Sequence, residues 1–259
     1  MYVWKCWRDS RSRFIFFLIV ILGVCVLFTI YAARPGGPAD FRRGGPLSGV
    51  AYLWSWVATV LLQTLIPLVV LFSALVLAPS SVGQEYREQT LGFLFTRPRS
   101  RRYLNWTCWS VGACEILGLV AAAVLGTFGA LICVSRHVYA WRLLGAILPL
   151  FAGALAAYSM TYFLTILARS GEKGLSYGFG ILVVSLLLPL VELQLSPWLW
   201  RLSHGHALHL PSVLSLMWAG CEWVITSAGG FPTGTFVFYG LLALAFPFAA
   251  QLLLERAEA

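Results

Sequence analysis

SSVGQEYREQTLGFLFTRPRSRRY, residues 80 to 103, is the one dense polar stretch of this chain, and it sits between two long apolar runs. The surrounding composition decides how it is read. Of 259 residues, 59% are hydrophobic and only 11% charged, with a mean hydropathy of +0.82. A soluble domain carries about 25% charged residues. No water-soluble fold hides this much apolar surface, so the solvent is a bilayer and residues 80–103 are a polar connection between membrane spans. The net charge of +8 then belongs to basic residues flanking apolar runs, the ordinary topology signal, and not to nucleic-acid binding.

A spanning helix needs about 20 apolar residues. Six runs meet that length, at 14–33, 51–78, 106–134, 143–168, 175–193 and 234–254. The expected fold is an all-α integral membrane protein forming one transmembrane domain over residues 1–259. Pro67 and Pro149 fall inside or near the ends of spans, where neighbouring helices can satisfy the carbonyls they free. Residues 195–231, with Pro197, Trp198, Trp200, Pro211 and the isolated acid Glu222, are expected to form an outer excursion with re-entrant or interfacial helices. The first run follows Lys5, Arg8, Arg11 and Arg13. It is about 20 residues long, where the core of a signal peptide is about 7–15, so it is expected to be retained as a first helix.

Orientation follows from the lysines and arginines. With the N-terminus inside, Lys5, Arg8, Arg11, Arg13, Arg87, Arg97, Arg99, Arg101, Arg102, Arg169, Lys173 and Arg256 fall inside. Arg34, Arg42, Arg43, Arg136, Arg142 and Arg201 fall outside. The excess predicts both termini in the cytoplasm, and an even number of spans allows it. The polar segment 81–102 then faces the cytoplasm. Val82, Tyr86, Gln89, Thr90 and Phe93 share one side of a helix at the 3.6 spacing, with Leu91 and Phe95 on the far side. Arg97-Pro98 ends that helix, because the residue before proline disfavours helical geometry. Arg97, Arg99, Arg101 and Arg102 are expected to anchor the next span at the membrane interface.

Glu85-x-x-Glu88-x-Thr90-Leu91-x-x-Leu94 followed by Thr96-Arg97-Pro98-x-Ser100-Arg101 resembles the signature loop of ABC-2 type transporter permeases. The layout is similar as well: a basic N-terminal segment with Trp4 and Trp7, six spans, and an outer excursion before the last. In that family the loop is a coupling helix against the ATP-binding subunit. The resemblance implies Gln84, Glu85, Arg87, Glu88 and Thr90 as contacts, and Tyr2 to Arg13 as an amphipathic interfacial helix. It implies a dimer with a second permease copy or paralogue, in a bacterial cytoplasmic (inner) membrane, working as an exporter. The family often has a lysine soon after the serine-arginine pair, where this chain has Asn105 or Trp106. No G-x-x-x-x-G-K-[ST] is present, so ATP and Mg would be bound, and ATP hydrolysed, by a separate subunit. This chain is expected to bind no cofactor and to be no enzyme by itself.

Other residues invite alternatives. Glu115 lies about nine residues into the third expected span, roughly 13 Å deep, and an acid at that depth is a functional candidate by default. Glu192 and Gln194 stand near the outer end of the fifth. His204, His206 and His209 form the one metal-like cluster, which would make the chain a metal-dependent membrane enzyme. Four ligands for a structural zinc or three for a catalytic one do not assemble within that loop, so no metal is expected. The cysteines Cys6, Cys25, Cys108, Cys114, Cys133 and Cys221 contain no CxxC and read as small buried hydrophobes. A third possibility is a membrane anchor that transmits force within an ATPase-linked assembly and passes no substrate.

Overall fold

An apolar run in a bilayer has no water to hydrogen-bond its backbone, so it satisfies those groups internally as a helix. The computed structural model describes residues 2–32, 65–80, 83, 101–134, 144–184, 187, 217 and 233–256, and among them there are helices and turns but no strand. The helices are α1 (Tyr2–Ala32), α2 (Ile66–Leu77), α3 (Arg101–Val134) and α4 (Ile147–Ala168), then α5 at residues 171–184 and α6 (Thr233–Arg256). Four segments are long and apolar enough to cross a membrane: Val3–Tyr31, Arg102–Ala130, Ile147–Ala168 and Thr233–Arg256. They match the first, third, fourth and sixth expected spans. α2 and α5 cover parts of the second and fifth, and most of the rest of those two lies outside the described residues.

The prolines and the one left-handed residue mark the ends of elements. Pro67 sits in the first turn of α2 and Pro149 in the first turn of α4, where a missing N–H costs nothing because it would be unpaired anyway. α4 stops at Arg169, whose φ of 51° is the one positive value at a non-glycine residue among those described. Ser170 then starts α5, its hydroxyl accepting from the Lys173 N–H at 3.5 Å.

Side-chain pairs fix the helix directions. Cys6 meets Cys108, and Ser10 meets Glu115, while Gly118 faces Phe14 and Gly126 faces Cys25, so α1 and α3 run parallel. Arg13 donates to the Val76 carbonyl and Phe17 packs on Phe72, which sets α2 antiparallel to α1. Tyr162 reaches Asn105 and Trp109 reaches Ser159, so α4 opposes α3. Gly174 faces Thr165 and Gly178 faces Thr161, so α5 opposes α4. Arg102 meets Glu255 and Asn105 meets Pro247, so α6 opposes α3. The described helices therefore alternate in direction, and Tyr2 and Arg256 lie at the same end of the bundle.

That end carries all the charge of the described residues. Among the described residues, Lys5, Arg8, Arg11, Arg13, Arg101, Arg102, Arg169, Lys173 and Arg256 are the lysines and arginines, and Asp9, Glu115, Glu172 and Glu255 the acids. Every one of them belongs to the same end, the basic end. The core behind it is built for close approach. α4 presents Ala152 and Ala156 to Tyr239 and Ala243 of α6. Small residues let helices pack where lipid offers no hydrophobic drive for them to associate. Phe16, Ile19, Leu27 and Ile30 point outward from α1, as lipid-facing residues should.

Two expectations change. Residues 2–13 do not form a separate helix lying along the interface. They continue into the first span as one helix of 31 residues. The reason is its inner stripe: Cys6, Ser10, Phe17, Ile21 and Cys25 are all buried on the side that meets α3. The third helix likewise begins earlier than residue 106, because α3 is helical from Arg101.

Candidate functional site

Where α1, α3 and α4 meet at the basic end, beside the last residues after α2, a small pocket is lined by Cys6, Ser10, Ser80, Cys108, Val111, Gly112, Glu115 and Tyr158. Its position follows from sequence. α1 is apolar from Phe14 onward, and α3 is apolar and uncharged from Ile116 to Val134. Those 19 residues of α3 rise about 28 Å, close to the roughly 30 Å of hydrocarbon in a bilayer. Residues 2–13 of α1 and 101–115 of α3 are the polar extensions of these two spans. Where they pack side by side, their polar groups can find one another.

Glu115 is 4% exposed. The Ser10 hydroxyl donates to its Oε1, and Ser10 also reaches the Cys6 carbonyl at 3.0 Å. Oε2 has no hydrogen-bond partner among the described residues. Ser10 stands between Arg8 and Arg13 of α1, so Glu115 lies level with the basic turns of α1. The hydropathy of α3 alone could not show this, because the level is set by which residue of α1 stands opposite.

Tyr158 closes the pocket. It is 1% exposed, stacks on Tyr162 with ring centroids 6.0 Å apart, and points its hydroxyl toward the Cys108 carbonyl at 3.5 Å. Gly112 makes room for it: a Cβ at that position would fall against the hydroxyl and lie 2.7 Å from the ring Cε2. Cys6 and Cys108, both thiols, approach to 2.8 Å between sulfurs.

One turn toward the charged tip lies a second polar knot. Asn105, 3% exposed, donates from Nδ2 to the Pro247 carbonyl at 3.2 Å and accepts from the Tyr162 hydroxyl on Oδ1 at 3.0 Å. It thus ties α3 to both α4 and α6. Beyond it, the Arg102 Nε meets Glu255 Oε1 at 3.0 Å, and Gln251 donates to the same oxygen at 2.8 Å.

The segment between α2 and α3 leaves and returns beside these groups. Ser80 lines the pocket. Gly83 touches Gly171 at the start of α5 so closely that a Cβ on Gly83 would lie 2.8 Å from the Gly171 Cα. Arg101 opens α3. Gln84, Glu85, Arg87, Glu88 and Thr90 lie outside the described residues, as do Arg97, Arg99, Glu192, Gln194 and the histidines 204, 206 and 209. Of the four expected anchors, Arg102 is exposed and joined to Glu255, and Arg101 sits in the first turn of α3. Among the described residues no group of three or more His, Cys, Asp or Glu could hold a metal.

Sequence reasoning singled out Glu115 and missed Ser10, Cys108 and Tyr158. A periodicity signal existed for Ser10: it falls four residues after Cys6 on a helix, on the face that continues as Phe17, Ile21 and Cys25. Comparison of the chain with protein families, with characterised proteins and with solved structures found no match.

Proposed function

We propose that this chain is the membrane-spanning subunit of an ATP-driven transporter of the ABC-2 type, coupling a separate ATP-binding subunit to helix movement. Its direction would be export, and it would work as a dimer with a second copy or a paralogue. The observation that carries this reading is the placement of the motif segment. Both of its ends, at Ser80 and Arg101, emerge from the basic end of the bundle. By the positive-inside bias that end, with both termini, is the cytoplasmic one, where an ATPase can reach it. Six spans, a coupling helix within 81–102 and a bacterial inner-membrane location belong to the same proposal.

Its test is charge reversal. Glu85→Arg with Glu88→Arg should abolish co-purification of the ATP-binding subunit or uncouple its hydrolysis, while the chain still inserts. A double variant that retains its ATPase and coupled turnover removes the coupling role. One observation favours a second reading, the force-transmitting anchor. Away from the basic end, the buried polar side chains described are Ser73 and Thr127, and each hydroxyl bonds a carbonyl of its own helix. Among the described residues they build no polar path through the bundle, which is what an anchor that passes no substrate would show. Substrate movement in reconstituted vesicles separates the two readings.

A further inference from the structure

We propose that Cys6 and Cys108 are a reversible disulfide site, which joins α1 to α3 under oxidising conditions and releases them on reduction. The two sulfurs stand 2.8 Å apart in a buried contact between residues 102 apart in sequence. That is inside the van der Waals contact of two sulfurs, and a bond needs about 2.05 Å. α1 and α3 are held in register around the pair by Ser10–Glu115 and Phe14–Gly118. Two thiols from different helices at this distance are a different case from the other cysteines described. Cys114 and Cys133 are exposed on α3, and Cys25 packs on Gly126.

The chemistry balances with a low-molecular-weight disulfide such as oxidised glutathione. The thiolate of one cysteine attacks a glutathione sulfur, forming a mixed disulfide and releasing one glutathione thiol. The second thiolate attacks the protein sulfur of that mixed disulfide, forming the Cys6–Cys108 bond and releasing the second. The protein pair loses two electrons and two protons, and both appear in the two reduced glutathione molecules. Burial slows reagent access, but Cys6 is only in the second turn of α1, and helix ends open at small free-energy cost. Both residues belong to the basic end. If that end is cytoplasmic, the reduced glutathione pool keeps the pair open in ordinary conditions, so the bridge would report oxidative stress. The disulfide itself stands on the geometry and does not depend on the transporter reading.

The test uses the full chain in native membranes. Membranes are treated with oxidised glutathione or with diamide, whose azo bond takes up the same two electrons and two protons. Remaining thiols are blocked with N-ethylmaleimide in denaturant, the protein is reduced, and newly exposed thiols are counted with a polyethylene glycol maleimide. Oxidised wild type should gain two adducts per chain, and untreated wild type none. Cys6→Ala and Cys108→Ala should each abolish both, whereas Cys114→Ala should retain them. Peptide mass spectrometry of the oxidised wild type, which needs no variant, should find the peptides of Cys6 and Cys108 linked, and reduced glutathione should reverse the link. Zero adducts after oxidation, adducts that survive in Cys6→Ala or Cys108→Ala, or a different linked pair would each overturn the proposal.

Discussion

Gly112→Ala should destabilise the protein, although the same change in an ordinary helix is favourable. Replacing a helical glycine by alanine is worth about 0.8–1.0 kcal/mol in intrinsic propensity. Against this stands the Tyr158 ring. The added Cβ would fall on the hydroxyl and lie 2.7 Å from Cε2, and Tyr158 is 1% exposed and stacked on Tyr162. The ring has nowhere to swing, so the cost belongs at the upper end of the roughly 1–3 kcal/mol typical of overpacking. Subtracting about 1 kcal/mol of propensity from about 3 kcal/mol of strain leaves a net loss of about 2 kcal/mol. The decisive experiment repeats the substitution in Tyr158→Leu. With the ring gone the clash is gone, and Gly112→Ala should become neutral or stabilising by up to about 1 kcal/mol. The assay is reversible unfolding of the detergent-solubilised protein in a denaturing surfactant, followed by tryptophan fluorescence. A Gly112→Ala effect of the same sign and size in both backgrounds would refute the account of this contact.

Asn105→Leu should cost about 0.5–1.5 kcal/mol, the usual net worth of a hydrogen bond, because the Tyr162 hydroxyl loses its Asn105 Oδ1 acceptor but keeps the backbone carbonyl of residue 105 at 3.3 Å, while the Pro247 carbonyl loses its side-chain donor. The same unfolding assay measures it. Arg102→Ala should cost no more than about 0.5 kcal/mol and nothing in high salt, since exposed pairs are weak and screened and the two side chains are 74% and 36% exposed. Accessibility should locate the membrane boundary on α3. In a chain with Cys114, Cys133 and Cys221 replaced, exposed Ser110→Cys should react with a membrane-impermeant maleimide applied to the basic side, and Leu117→Cys, also exposed, should not. Equal protection of both would mean that the span starts nearer residue 106.

The sequence made the class, the four helices long and apolar enough to cross a membrane and the clustering of charge legible, because each depends on composition within one segment. Glu115 was visible for the same reason: an acid inside an expected apolar span is a local anomaly. Its level was not visible. Counting from the first hydrophobic residue of α3 puts it deep, whereas the neighbour on α1 puts it beside Arg8 and Arg13. That neighbour is 105 residues away, and the register between the helices is set by Phe14 against Gly118 and Cys25 against Gly126. The pairing of Cys6 with Cys108 was hidden in the same way. Reading Tyr2 to Arg13 as a separate interfacial helix failed because the pattern of basic residues and tryptophans there is common to a helix lying on a membrane and to one standing out of it. Only the partner on its inner face distinguishes them.

The distribution of polar contacts also bears on how a push at the basic end would travel. Between Glu115 and Arg102, α3 is bound to α1 by Ser10 and Cys6, to α4 by Tyr158, Ser159 and Tyr162, and to α6 by Pro247 and Glu255. These contacts are directional, and breaking a buried one strands a polar group at about 1–3 kcal/mol, the exposed Arg102–Glu255 pair being weaker. Toward the other end the helices meet through small, aliphatic and aromatic side chains, Tyr239 among them, whose dispersion contacts are individually weak. A load on Arg101 would therefore move the basic ends of α1, α3 and α4 together and deform the bundle beyond them. α6 has an obvious place to yield. Pro247 lies inside it, which removes the intrahelical bond that the Ala243 carbonyl would otherwise accept, and Asn105 grips the helix at that residue. Held by Asn105 at the break and packed on α4 through Tyr239 and Ala243 before it, α6 would bend at Pro247 while α3 stays straight.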